Sequence, residues 1–141
     1  MKIKEAQIKN VICGKDVQIM SPSNLYNCEL GDDTFVGPVV EIQRGVIIGK
    51  RTRIQSHSFI CELVNIGDEC FIGHGVMFIN DLFSRGGPAN GEKELWKSTF
   101  VGNNVSIGSN ATILPVNICD NVVIGAGAVV TKDISEKGVY A

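Results

Sequence analysis

The sequence predicts an all-β solenoid, a coil of short parallel strands around a narrow core, and three observations carry that prediction. The first is a six-residue step: Leu30, Val36, Ile42, Ile48, Ile54, Ile60, Ile66, Ile72 and Phe78 are consecutive apolar residues in one register. The second is a small or β-branched residue four places on, at Thr34, Val40, Val46, Thr52, Ser58, Val64, Cys70 and Val76. The third is glycine directly after many of the large residues, at Gly31, Gly37, Gly49, Gly67 and Gly73. A large and a small inward residue in each unit fill a narrow interior, and glycine permits a tight bend or close approach. Three units close a triangular turn of about 18 residues, and successive turns stack about 4.8 Å apart as parallel strands. An amphipathic helix is excluded, because its apolar repeat falls at 3.6 residues.

Along the chain the register runs unbroken to Phe78, resumes at Val101, Ile107 and Ile113, and continues at Ile118, Ile124 and Val130. Between these runs, from Asn80 to about Thr99, the hexad disappears. Leu82 to Gly91 is rich in Gly, Pro, Ser and Asn, which is turn chemistry, so a loop leaves the scaffold there. Such excursions commonly carry function. The step from Ile113 to Ile118 is five residues rather than six, which makes one rung short. Residues 1–141 are expected to form a single domain carrying one loop insertion at about 80–99.

Composition narrows the function classes. With 13 basic and 15 acidic residues among 141, the chain lacks the electrostatic footprint of a nucleic-acid binder. No stretch reaches the ~18 to 20 apolar residues that cross a bilayer, and Met1 to Glu5 shows no apolar signal core. The five cysteines, Cys13, Cys28, Cys61, Cys70 and Cys119, form no CxxC pair and read as buried free thiols of a reducing compartment. The expected location is cytoplasmic. Only two histidines exist, too few for a metal-dependent hydratase with about three histidine ligands, so no metal is expected.

A spacing of 18 stacks residues into columns. Asp32, Lys50 and Asp68, beside Asp33, Arg51 and Glu69, form a wet face suited to cross-rung pairing. Arg44, Glu62 and Asn80, followed by Asp81, form a second column at the foot of the loop. A carboxylate and an amide beside a loop are unusual in a coil lined with Val and Ile. His57 and His74 fall on a third column, offset by one position. Trp96, near the loop's return, reads as an anchor on a neighbouring chain or as a plate for a nucleotide base, anchoring being the stronger reading.

The stretches Asn24 to Cys28, Ser56 to Glu62 (SHSFICE), Phe71 to Asp81 (FIGHGVMFIND) and Ile124 to Asp133 (IGAGAVVTKD) resemble the hexapeptide-repeat acyltransferases. Taken together they look most like N-acetyltransferases acting on nucleotide-linked 3-amino sugars. The resemblance covers nearly the whole chain. It implies a left-handed coil, a homotrimer with sites between subunits, and acetyl-CoA as cosubstrate. It further implies transfer of acetyl to the amino group of a dTDP- or UDP-linked 3-amino sugar in surface-polysaccharide or glycan precursor biosynthesis. Three departures stand out: Val116 follows Pro115 where relatives have glycine, Ser84-Arg85 replaces Pro-Arg, and the chain stops at Ala141 where relatives continue.

Acetyl transfer from a thioester needs a neutral amine, an aligned carbonyl and a destination for a proton. The resemblance implies direct attack in a ternary complex, with Glu62, Asn80 and Asp81 orienting the amine and coenzyme A sulfur taking the proton. A histidine base, His74 or His57, is the alternative. Cys61 adjoins Glu62 but has no neighbouring activating base, which argues against an acyl-cysteine. Gly108, Ser109, Ala126 and Gly127 form a shallow strip for a pantetheine arm, and Lys132 is placed to meet a phosphate. Tyr26, Asn27 and Arg85 are candidates for the nucleotide sugar. Two competing readings are a histidine-dependent acetyltransferase of another small acceptor and a non-catalytic β-helix scaffold subunit.

Overall fold

The computed structural model describes residues 1–4 and 7–141; Glu5, within the stretch read for a signal core, lies outside the described residues. Strands of two or three residues assemble into three parallel sheets, which are the faces of a left-handed β-helix. The first sheet stacks Ile8–Lys9, Asn24–Tyr26, Glu41–Ile42, Phe59–Ile60, Met77–Phe78, Thr112–Ile113 and Val129–Val130. The second stacks Ile12–Cys13, Glu29–Leu30, Ile47–Ile48, Val64–Ile66, Thr99–Val101 and Asn117–Ile118. The third stacks Gln18–Ile19, Phe35–Val36, Arg53–Ile54, Phe71–Ile72, Ser106–Ile107, Val122–Ile124 and Gly138–Tyr140.

Both inward series lie where the hexad puts them. Leu30 through Phe78 at the large positions, and Thr34 through Val76 at the small ones, are all at most 2% exposed. The small polar members satisfy themselves by donating to backbone of the rung above: Thr34 Oγ1 to Gly49 O (3.1 Å), Thr52 Oγ1 to Gly67 O (2.8 Å), Ser58 Oγ to Gly73 O (2.8 Å). A buried hydroxyl therefore costs the core little.

Glycine serves the close approach rather than the bend. A β-carbon on Gly49 would sit 2.4 Å from the backbone of Gly67, and one on Gly108 would sit 2.4 Å from Ala126 N. The bend falls to the next residues: at this corner Asp33, Arg51, Glu69, Asn104 and Asn121 have φ between 54° and 61°, and the other two corners carry left-handed residues of their own. Asn and Asp tolerate that region, whereas Val39 (φ 57°) and Leu63 (φ 73°) adopt it at a cost in strain.

The columns predicted to lie on flat faces are at the corners instead, because each strand is too short to carry them. At the corner between the second and third sheets the acidic and amide side chains accept backbone N–H groups of the rung below. Asp32 takes Lys15, Asp68 takes Lys50, Asn103 takes Asp68, and Asp120 takes Asn103, all at 2.7–2.8 Å. The glycines Gly14, Gly49, Gly67 and Gly102 leave room for those side-chain oxygens. Of the expected charge pairs, Arg51 and Glu69 meet at 2.9 Å. Lys50 meets Asp68 through its backbone rather than its ammonium.

The pairing register is 18 residues in the middle of the coil, as at Phe59↔Met77, but 17 lower down, as at Asn24↔Glu41. The upper rungs also step by 17, at Phe100↔Asn117, where the short step from Ile113 to Ile118 falls. Val116 is buried there, and Asn117 pairs with Phe100. Between Phe78 and Thr99 the chain leaves the coil at the corner joining the first and second sheets.

The thiol expectation needs a correction. Cys28, Cys61 and Cys70 are buried and free, but Cys13 is exposed on the outer face of the strand Ile12–Cys13, and Cys119, just past the strand Asn117–Ile118, is half-buried.

Candidate active site

The loop is fixed at its root by polar groups from the column at the first corner. Asn80, 9% exposed, donates from Nδ2 to the backbone oxygen of Glu62 one rung below (3.1 Å). Lys97 N donates to Asn80 O at 2.8 Å, which closes the loop's base. Asp81 accepts the N–H groups of Phe83 (3.0 Å) and Ala89 (2.7 Å) with its two carboxylate oxygens. Those backbone donors, Ala89 first, hold the Asp81 carboxyl below the usual carboxylate range. Within this chain Asp81 therefore shapes the loop.

Glu62 does something different. Its backbone N–H donates to Gln43 Oε1 (3.2 Å), and both of its carboxylate oxygens accept from Lys93 Nζ at 3.1 Å. Lys93 comes from the single 3-10 turn of the loop, Lys93–Leu95, and its ammonium stands 5.5 Å from the Trp96 ring centre. Sequence reasoning missed Lys93 and Gln43. Lys93 lies in the segment without a repeat, so no spacing tied it to Glu62.

Under the loop, at the edge of the first sheet, is a cleft of about 420 Å³. Gln43, Phe59, Cys61, Asn80, Asp81, Phe83 and Trp96 line it. The Trp96 indole N–H is buried with no partner among the described residues. It contributes to lowering Asp81 without reaching hydrogen-bond geometry. Cys61 is an inert wall, since burial pushes its thiol up to about 12.

Of the remaining substrate candidates, Tyr26 joins this surface. Burial raises its hydroxyl pKa, with the charges of Glu41 and Glu62 adding to the rise and Arg44 opposing it. Asn27 is a corner residue (φ 51°) whose side chain accepts from Asn10 Nδ2, so it is engaged in holding the turn. Arg85 pairs with Glu92 inside the loop.

His57 and His74 are exposed at the opposite corner of the first sheet, between the third and first sheets. Neither imidazole makes a hydrogen bond among the described residues. The same corner carries Gly108, Ser109, Ala126 and Gly127 on the rungs above: Asn110 N donates to His74 O (2.8 Å), and Gly127 N to Ser109 O (2.8 Å). The strip is therefore a continuation of the histidine column, which the sequence alone had not joined. Lys132, exposed, lines a cleft of about 250 Å³ near the end of the coil, with Ala128 and Val129. Gly75 and Asn80 stand at the two edges of the first sheet, about 16 Å apart for five extended steps. The histidine corner and the carboxylate corner of one chain are thus separate.

Two family models match, each within the repeat. "Bacterial transferase hexapeptide (six repeats)" covers residues 27–62, and "Hexapeptide repeat of succinyl-transferase" covers residues 99–132. The chain belongs to the hexapeptide-repeat transferase family. Among solved hexapeptide-repeat structures, a galactoside acetyltransferase in complex with coenzyme A is 33% identical. The match covers 79% of this chain and 60% of that one, with a TM-score of 0.66. A hexapeptide-repeat acetyltransferase of Vibrio cholerae complexed with acetyl coenzyme A is 25% identical (TM-score 0.65), covering 79% of this chain and 64% of that one. The perosamine N-acetyltransferase of Caulobacter crescentus, in complex with CoA and GDP-perosamine, shares the fold at 18% identity and a TM-score of 0.66, covering 96% of this chain and 54% of that one. By sequence, the bifunctional protein GlmU of Campylobacter concisus is 32% identical over 99% of this chain. The chain spans 28% of that relative's length.

Proposed function

We propose that the chain is an acetyl-CoA-dependent N-acetyltransferase whose acceptor is the amino group of a dTDP- or UDP-linked 3-amino sugar, serving cytoplasmic synthesis of glycan precursors. Support for acetyl-CoA comes from two relatives that bind acetyl-CoA or CoA on the same coil. The strip Gly108, Ser109, Ala126 and Gly127 would take the pantetheine arm, and Lys132 a phosphate. One observation carries the amine: Glu62 already holds an ammonium, that of Lys93, with both carboxylate oxygens at 3.1 Å, and its neighbours Gln43 and Asn80 line a cleft of about 420 Å³. A carboxylate also accepts from a hydroxyl, but an ammonium adds charge pairing to the hydrogen bond and is the better match.

The chemistry balances simply. The ammonium first gives one proton to solvent water, the free amine attacks the thioester carbonyl, a C–N bond forms and the C–S bond breaks. The amine's second proton ends on coenzyme A sulfur, giving an amide and a free thiol. Glu62 and Asn80 hold the acceptor, and Asp81 holds the loop that walls it. A carboxylate beside an ammonium favours the charged form, so Glu62 recognises and orients the amine but does not deprotonate it. Sulfur as the final acceptor needs no further group. A histidine base is the second reading, favoured by the unbonded imidazole of His74 at the head of the strip.

Because the two corners of one chain are about 16 Å apart, a site that unites them draws the strip from a neighbouring copy. A homotrimer supplies that geometry, and sedimentation of a monomer at micromolar concentration would sink it. The activity test is thiol release from acetyl-CoA with a panel of sugar nucleotides. The expected result is turnover with 3-amino sugars and none with their hydroxyl counterparts. Turnover with hydroxyl acceptors alone would overturn the proposal.

A further inference from the structure

We propose that Lys93 is a latch on the acceptor site: its ammonium occupies the position that the acceptor's own ammonium would take on Glu62 and must be displaced for the acceptor to bind. The inference rests on the amine-acceptor reading above and names a residue that sets the site's affinity for its acceptor.

Four observations carry it. Glu62 is the fixed partner: its side chain is 19% exposed, and its backbone is tied to Gln43 on one rung and Asn80 on another. Lys93 is the movable partner, 52% exposed, on a loop and 31 residues away in sequence. The ammonium contacts both carboxylate oxygens, each at 3.1 Å. Finally, Gln43 and Asn80, which hold Glu62, and Trp96, which stands by Lys93, all line the neighbouring cleft, so a ligand there lies next to the pair.

Such a pair is weak, because one member is half in solvent and its side-chain freedom is lost on pairing. A ligand ammonium that brings additional contacts in the cleft would therefore win. A ligand with a hydroxyl at that carbon brings no charge to replace the one removed from Glu62, so the carboxylate itself favours the amine. Lys93 raises the threshold for every acceptor by one factor.

The latch and a scaffold role predict opposite signs. Lys93→Met keeps an apolar stem against Trp96 and removes the charge. The probes are dTDP-3-amino-3,6-dideoxygalactose and dTDP-6-deoxygalactose, which differ only at carbon 3, measured by calorimetric binding and by KM and kcat. The latch predicts that Lys93→Met binds the amino sugar about three- to tenfold more tightly, the factor by which a mostly closed site is opened. It predicts a lower KM, an unchanged kcat, and Lys93→Arg close to wild type. It also predicts that the ratio of the two sugars' affinities stays the same, because the closed state weakens both by one factor. If Lys93→Met binds the amino sugar equally or more weakly while wild type binds it, the latch is wrong and the amine reading stands. A wild-type protein that binds neither sugar overturns both.

Discussion

Asn80 Nδ2 reaches down one rung to the backbone oxygen of Glu62, 3.1 Å away, so the amide at the loop's root is bound to the residue that bears the site's carboxylate. Asn80 therefore positions Glu62 from above while Gln43 does so from below. Asn80→Ala should lose transfer activity at least about tenfold, which is 1.4 kcal/mol, with the coil intact by circular dichroism. Wild-type turnover in a folded Asn80→Ala protein would contradict this.

Proton transfer separates the two chemical readings. With a histidine base, His74→Asn or His57→Asn should cost about a hundredfold in kcat, while Glu62→Gln should act mainly on KM. With sulfur as acceptor, both histidine variants should stay within about tenfold of wild type. Steady-state kinetics on the three variants decide it.

Thiol labelling tests the site's chemistry without any acceptor. Cys61 and Cys28, pushed up by burial to about 12 and about 11, should resist iodoacetamide at pH 8, whereas exposed Cys13 should label first. At that pH only about one Cys61 in ten thousand is thiolate. Acid-quenched protein taken from turnover should carry no acetyl adduct on Cys61 by mass spectrometry; an adduct there would establish a covalent route.

Asp81 gives the loop a pH dependence of definite sign. Its folded value is depressed, so its contribution is present above the unfolded value of about 3.9 and lost as pH falls through the lower folded one. Trp96, the sole tryptophan, reports the loop's attachment by fluorescence. Its emission should stay constant from pH 7 to pH 5 and shift to the red below pH 4. Asp81→Asn should show the shifted spectrum already at pH 7, and an unshifted one would refute the anchor.

The rung glycines should matter by neighbour and not by residue type. Gly49→Ala drives a β-carbon into the backbone of Gly67, which cannot move aside without displacing a rung. Gly87→Ala meets nothing within 4 Å. The first should cost roughly 1–3 kcal/mol and lower Tm by at least about 4 °C, and the second should leave Tm unchanged.

The coil was legible because its core is one-dimensional: a single register names every inward residue from Leu30 to Phe78, and each is buried. Corners were misplaced as faces because a period of six does not say where within the unit the chain turns. That is decided by which residue takes positive φ, and Arg51 and Leu63 carry no compositional sign of it. The site was half legible. Glu62 and Asn80 stand one above the other because they share a register, whereas Lys93 reaches Glu62 through a loop whose path no repeat encodes. The union of His74 with the glycine strip was hidden by the 35-residue gap between Met77 and its partner Thr112 across the loop.

The ladder of Asp and Asn side chains at the second corner has a direction. Asp32 serves Lys15, Asp68 serves Lys50, Asn103 serves Asp68 and Asp120 serves Asn103; Asp133 serves Asn117 in the same sense. In every case the oxygen belongs to the later-synthesised turn and the amide it satisfies to the earlier one. Each of these amides therefore finds its side-chain partner only when the following turn is stacked on it, so removing a turn from the C-terminal side exposes donors on the turn beneath.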